Sequence, residues 1–539
     1  MKKIVLPFFL FSALLMQAQN TDDKSAGHEK APENWFNLDP ATDKINGVGT
    51  ERTYAELLKG KKSTTVIVGV IDSGVDYKHE DLKDVMWVNE DEIPGNGIDD
   101  DKNGYIDDIH GWNFLGGKDG KNVEKETLEL TRLYRSLNKK YENKTEKEVD
   151  NKKEFKFYLS IKQEFDKESN EAQQQFVQIS FIKNMIEAFD LDVKDQLKIE
   201  KITAKDLDNY QPKDAQQKQL MGFLKEALLK ENADMDQMLK ELTDGFDHFD
   251  DQVKYNLNVD YDPRGIVGDD YTNSNERNYG NNDCNGPNSL HGTHVAGIIA
   301  ANRNNNIGIK GIADNVKIMA IRAVPDGDER DKDIANAIYY AVDNGAQIIN
   351  MSFGKTQSYD KAAVDKAVKY AESKNVLIIH AAGNDGLDID HVAHYPCKKY
   401  ENSRKQAKNW LDVGALNWRQ GADLPASFSN YGKKNVDVFS PGVDIYSTKT
   451  GGGYLNESGT SMACPVTVGV AAVLKSYFPE LSTKDIKKII LKSVNTNYKK
   501  SKVKQPKGKE EIEFEKLSKT GGIVNLYNAV QMAGKMAKK

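Results

Sequence analysis

Three short segments carry the residue types of nucleophilic catalysis: Asp72-Ser73-Gly74, His291-Gly292-Thr293-His294-Val295-Ala296-Gly297 and Gly459-Thr460-Ser461-Met462-Ala463-Cys464-Pro465. A serine hydroxyl is a weak nucleophile near neutral pH, so a neutral imidazole must take its proton as it attacks a carbonyl. An ionised carboxylate must hold the other ring nitrogen in the right tautomer and stabilise the imidazolium that forms. Ser461, a histidine of the second segment and Asp72 are residues of those three types. Spacing alone does not choose between His291 and His294. Asp-Ser-Gly is a common tripeptide, but here it ends a buried-type run, Val66-Ile67-Val68-Gly69-Val70-Ile71. Ser461 opens an Ala- and Val-rich stretch to Tyr477 that reads as a buried helix, with Pro465 tolerated in its first turn. A nucleophile at a helix N-terminus has free amides and the positive end of the dipole beside the oxygen that becomes negative in acyl transfer.

The elements that must position these residues are legible as short apolar runs: Val66 to Ile71, Ile318 to Val324, Gln347 to Met351, Val376 to Ala382 and Val436 to Phe439. Helical patterns such as Ile334 to Asp343 and Lys361 to Ser373 lie between them. Strands alternating with helices predict an α/β fold with a mainly parallel sheet flanked by helices. In such sheets chemistry gathers beyond the carboxyl ends of the strands, which points to Asp72, Ser352 and Asn384. Residues 122–255 differ, being dense in Lys, Glu, Asp and Gln and poor in Gly. They read as a charged helical insertion between the catalytic Asp and His. Its apolar stripes are Leu130, Leu133, Tyr134, Leu137 and Tyr141, then Phe176, Val177, Phe181, Met185 and Phe189, then Leu220, Leu224, Ala227 and Leu228.

The chain order of acid, histidine and serine is that of subtilisin. With these motifs the sequence resembles a subtilisin-like serine peptidase of the subtilase family. The likeness runs from about Val66 to Leu82, from His291 through the helix after Ser461, and faintly to Gly521-Gly522-Ile523-Val524-Asn525. It implies a subtilisin-like fold, with His291 as the base and His294 as a packed helix residue. It implies that Asn384, in Ala381-Ala382-Gly383-Asn384, donates to the oxyanion. It also implies that Ser352-Phe353-Gly354 pairs with the substrate backbone, as strand addition does elsewhere. His394, before Tyr395-Pro396, falls near the floor of the pocket for the residue preceding the scissile bond, where a protonatable ring would favour polar or acidic side chains. Asp81 with the loop Asn302 to Asn306 resembles a calcium site of the family.

A second calcium signal stands on the residues themselves. Asp99-Asp100-Asp101-Lys102-Asn103-Gly104-Tyr105-Ile106-Asp107-Asp108 alternates oxygen side chains and has glycine sixth, as a calcium-gripping turn requires. Asp99, Asp101, Asn103 and Asp107 are the candidate ligands. Position twelve is His110 in place of the EF-hand glutamate, so further ligands must come from elsewhere. Calcium is thus an expected structural cofactor, and no organic cofactor is expected.

The chain of 539 residues carries 75 Lys and Arg against 82 Asp and Glu, a formal charge of −7 that offers no basic field for nucleic acid. Three cysteines exclude a disulfide-built miniprotein or a multi-cysteine metal cluster. Export would permit a bridge between Cys284 and Cys397, while Cys464 reads as a packed thiol. Lys2 and Lys3, the apolar run Ile4 to Met16 and small Ala18 have the order of a signal peptide. The expected organisation is a leader 1–18, an extension 19–60, a first peptidase part 61–121, the insertion 122–255 and a second peptidase part 256–539. No span of membrane length follows the leader, so a mature protein in the periplasm or medium is expected, with proteins or peptides as substrates. About 50 residues between leader and Asp72 leave little room for a separate folding propeptide. Two other readings compete. A serine-carboxyl peptidase would use glutamate as base and operate in acid, and the intact His291 motif argues against it; a peptide-binding pseudopeptidase would show a broken triad or an absent oxyanion donor, and neither defect is present.

Overall fold

The computed structural model describes residues 30–231 and 233–537. Its centre is a seven-stranded sheet of β1 (Val66–Asp72), β2 (Gly111–Asn113), β3 (Val316–Arg322), β4 (Ile348–Met351), β5 (Leu377–Ala381), β6 (Trp410–Leu416) and β7 (Val438–Pro441). The order is β2-β3-β1-β4-β5-β6-β7, and every pairing is parallel. Side chains alternate across the pleat, so Val66, Val68 and Val70 join the core on one face and Ile71 joins the core on the other. Helices Leu290–Ala300 and Thr460–Tyr477 contribute to the first core, and helices Asp331–Asp343 and Lys361–Ser373 to the second. The chain leaves β1 toward β3 on one side and reaches β4 on the other, which makes the carboxyl end of β1 a topological switch point.

The α/β sheet is as expected, with two strands added. β2 is only three residues long. β6 is interrupted by Asp412, which hides it from an apolar-run criterion; the charge is carried inside by His380 at 3.0 Å and Lys398 at 3.1 Å. Residues ahead of β1 are part of the body. Trp35 and Phe36 are fully buried, the Trp35 indole donates to the Asp444 carbonyl at 3.1 Å, and Leu526 N–H donates to the Val48 carbonyl at 2.8 Å. The leader lies outside the described residues. All three cysteines are free, so the Cys284–Cys397 bridge does not form. Among the described residues no helix is long and apolar enough to cross a membrane.

The insertion is helical: Glu129–Tyr141, Lys152–Leu197, Ala215–Glu231 and Met235–Asp251. Helix Lys152–Leu197, 46 residues long, buries Tyr158, Phe165, Ala172, Ile179, Ile186 and Val193, one residue in seven. That seven-residue repeat, two turns of 3.5 residues each, is the seam of a coiled coil. Helices Glu129–Tyr141 and Met235–Asp251 pack along it. The stripe expected from Phe176 to Phe189 is corrected in part: Phe189 is buried, but Val177 is 67% and Phe181 61% exposed, while Ile179 and Ile186 are buried in their place. Local three- and four-residue steps fit both stripes, and packing against neighbours on one side selects the other.

Ile186→Ala should therefore cost about 2–5 kcal/mol in urea unfolding of the insertion, and Phe181→Ala less than about 0.5 kcal/mol. Equal losses would contradict the seam.

Candidate active site

Asp72 is the last residue of β1 and is 1% exposed. Its Oδ1 accepts from the Ser73 amide at 2.8 Å and lies 2.7 Å from His291 Nδ1. A carboxylate there requires Nδ1 to carry the proton, which leaves Nε2 as the free base. Helix Leu290–Ala300 brings His291 this close because residue 292 is glycine. A Cβ at Gly292 would sit 2.0 Å from the Gly74 carbonyl oxygen. Burial works against the charged His291 ring, and the Asp72 carboxylate more than offsets it, so the pKa lies above the ordinary 6.5. Glu457, missed in the sequence, lines the same cleft and adds to that rise. His294 is buried with Nε2 at 3.2 Å from the Leu455 carbonyl, and burial pushes its pKa down to about 4. It is the packed helix residue expected.

Ser461 is the second residue of helix Thr460–Tyr477, where its amide has no helical acceptor by position. Its Oγ donates to the Ser352 carbonyl at 3.0 Å, so the hydroxyl must turn to reach His291. Asn384 follows β5. Its Oδ1 accepts from both the amide and the hydroxyl of Thr460 at 2.9 Å, which directs the side-chain NH2 elsewhere. The Thr460 hydroxyl in turn accepts from the Gly383 amide at 3.1 Å. Thr460 thus orients Asn384, a role visible only once the two loops meet.

Asp72, His291, Ser461 and Asn384 line one cleft of about 770 Å³ with Ser352, Phe353, Gly354 and His394. The Phe353 carbonyl is 2.9 Å from His380 Nε2. His394 lies between two loops that are bare of side chains: a Cβ on Gly354 would meet its ring at 2.5 Å, and one on Gly383 at 2.9 Å. Burial, with His380 beside it, pushes the His394 pKa down to about 4. The ring is neutral at ordinary pH, so the expected charge-based draw on acidic side chains is absent.

The acidic loop brings Glu92, which lies outside the motif, to the expected Asp99 and Asp101. Glu92, Asp99 and Asp101 each offer an oxygen within 4.8 Å of the others. Asp107 instead accepts from the amides of Gly95, Asn96 and Gly97, which turns its carboxylate to that bend. Asn103 donates Nδ2 to Asp101 and Asp108. Glu92 lies before the motif and no spacing rule marks it. Asp81 meets the Asn302–Asn306 loop as expected, accepting from Asn305 Nδ2 at 2.7 Å, and also from Ile309 N–H and the Tyr454 hydroxyl.

The subtilase family model matches residues 63–511. A thermophilic serine proteinase of Bacillus sp. (strain AK1) is 46% identical over 187 residues, which are 34% of this chain and 42% of that protein. Subtilisin BL of Lederbergia lenta is 36% identical over 199 residues, 36% of this chain and 67% of that one. The first such relatives are thus matched over about half their length, for example 52% of a thermostable alkaline protease of Halalkalibacterium halodurans. A solved protease structure from Pseudoalteromonas arctica is 28% identical with TM-score 0.36, covering 45% of this chain and 70% of that one. With a family model spanning most of its length, and with aspartate, histidine and serine lining one cleft, this chain belongs to the subtilase family of serine peptidases.

Proposed function

We propose that the protein is an exported endopeptidase that cuts unfolded or loop segments of proteins through an acyl-enzyme on Ser461. The observation that carries this reading is the 2.7 Å Asp72–His291 pair beside a serine at a helix N-terminus. Ser461 Oγ attacks the scissile carbonyl carbon while His291 Nε2 accepts the hydroxyl proton. The carbonyl oxygen, now negative, takes hydrogen bonds from the Ser461 amide and the Asn384 side chain. His291 passes its proton to the amine nitrogen, the C–N bond breaks, and the acyl group stays on Ser461. Water then attacks the ester with His291 again as base, releasing the acid and restoring the serine. Asp72 stays ionised throughout. The extended backbone upstream of the scissile bond lies along Ser352-Phe353-Gly354, and the part of the cleft beside His394 receives the residue before the cut. The leader at 1–18 supports export to the periplasm or medium.

We also propose a structural calcium ion at the acidic loop. The three carboxylates suit a hard cation, which would neutralise charges the fold brings together. Glu92, Asp99 and Asp101 would hold it, and Asp81 with its loop is the second candidate position.

A fluorophosphonate probe should label Ser461 and no other residue, and Ser461→Ala should abolish peptide cleavage; labelling elsewhere would end the reading. The rising limb of kcat/KM should have its midpoint above pH 6.5, because neutral His291 is the base and Asp72 raises its pKa. Asp72→Asn should move that midpoint down and lower kcat by about 10⁴-fold. Asn384→Ala should lower kcat by about 10²–10³-fold with little change in KM. Calcium at about 100 times its Kd should stabilise the fold by about 2.7 kcal/mol, read as a raised Tm against chelator. Glu92→Gln should remove most of that gain, and a Tm indifferent to calcium would refute the site.

A further inference from the structure

The cleft that holds Ser461 does not stop at the strand Ser352-Phe353-Gly354. It runs on to Lys355 and Thr356, to the loop at 324–329, and to Glu168 of the insertion. The Ser461 hydroxyl contacts Ser352, so Lys355 and Thr356 mark the end remote from the nucleophile. The insertion is tied to that end. Gln357 donates to Glu164 at 3.0 Å, and Glu168 follows one helical turn later, on the same face. Lys355 Nζ reaches Glu129 at 2.8 Å and the Glu329 carbonyl at 2.6 Å.

Three carboxyl groups line this end of the cleft, and Glu168 and Glu329 each feel the charge of Asp328. Glu168 is pushed above the ordinary range by burial, with Glu164 and Asp328 adding to it. Asp328 uses one oxygen to accept the Glu129 amide at 2.8 Å. Glu329 is 2% exposed, lines the cleft, and its Oε1 meets no donor among the described residues. Burial pushes Glu329 up to about 8 as well, against the pull of Lys355, so the group ionises near neutral pH only with a further cation beside it. The nearby cations are already engaged. Lys355 is bonded to Glu129 and Asp331, and Arg132 to Glu129. Lys125 takes Asp326 and Asp251. Arg322 lies toward the catalytic end, bonded to the carbonyls of Ser73 and Val123 and to Asn113 Oδ1. A buried carboxyl group that lines the cleft with Asp328 and Glu168 and has one oxygen without a donor lacks one thing: a cation.

We propose that Glu329, Asp328 and Glu168 form a subsite for a lysine or arginine side chain of the substrate, two to five residues upstream of the scissile bond. The insertion then supplies part of the substrate selectivity. This rests on the peptidase reading above and adds to it a preference that the triad does not require. An incoming ammonium or guanidinium would give Glu329 Oε1 the donor it lacks and offset the crowding of like charges.

The test is a set of fluorogenic peptides identical except for lysine, arginine, norleucine or glutamate at each of those four positions. For the wild type, kcat/KM with lysine or arginine at one position should exceed that with norleucine by about tenfold, and glutamate should be the poorest. Glu168→Gln and Glu329→Gln should each shrink the ratio, and Glu168→Lys should reduce it to about one or invert it. If Glu329→Gln does not fold, the two Glu168 variants still decide. Anisotropy binding of the same peptides to Ser461→Ala protein reads the preference without chemistry, so a failed peptidase reading and a failed subsite are told apart. A flat profile at all four positions, or a basic preference unchanged in Glu168→Lys, overturns the proposal.

Discussion

A single buried carboxylate governs the arrangement. Asp72 sits at the end of β1, inside the sheet, with one oxygen committed to Ser73 and His291 and the other without a partner among the described residues. Burying such a charge is costly unless an opposite charge or donor stands beside it. The histidine must therefore come to the strand, and the helix that carries it can approach only where both chains lack side chains, at Gly74 and Gly292. The tautomer of His291, its raised pKa and the availability of Nε2 all follow from that contact.

The same logic of bare backbone and buried charge recurs around the cleft. Gly354 and Gly383 leave room for an imidazole between two strands' ends. Beyond them, Lys355, Glu129, Arg132 and Asp331 form a buried ionic network joining the insertion to the segment that follows β4. Such pairs contribute little net stability compared with apolar packing, yet removing one partner is severe. Their effect is to hold the helical insertion in one position against the cleft rather than as a loosely tethered appendage.

Much of this was legible in the residues. The β-branched run ahead of Asp72, the glycines around His291 and the small apolar helix after Ser461 each have one reading, because parallel strands and buried helices tolerate few alternatives. Asp412 hid β6, since its partners His380 and Lys398 are remote in sequence. Glu92 and Thr460 escaped notice for the same reason: a ligand or an orienting hydroxyl has no local pattern of its own. The long helix misled because a 3.5-residue seam and a 3.6-residue stripe share most of their steps over a short window. His394 lines the cleft, and its charge state depends on burial that sequence does not display.

The stretch ahead of β1 has a bearing on how such a molecule survives its own chemistry. Trp35 and Phe36 fill the interior, and Val48 is hydrogen-bonded to the start of the final helix. A nick within that stretch would pull two large rings from the middle of the protein and loosen both termini together. Of cuts ahead of β1, one that falls before Trp35 leaves that packing whole.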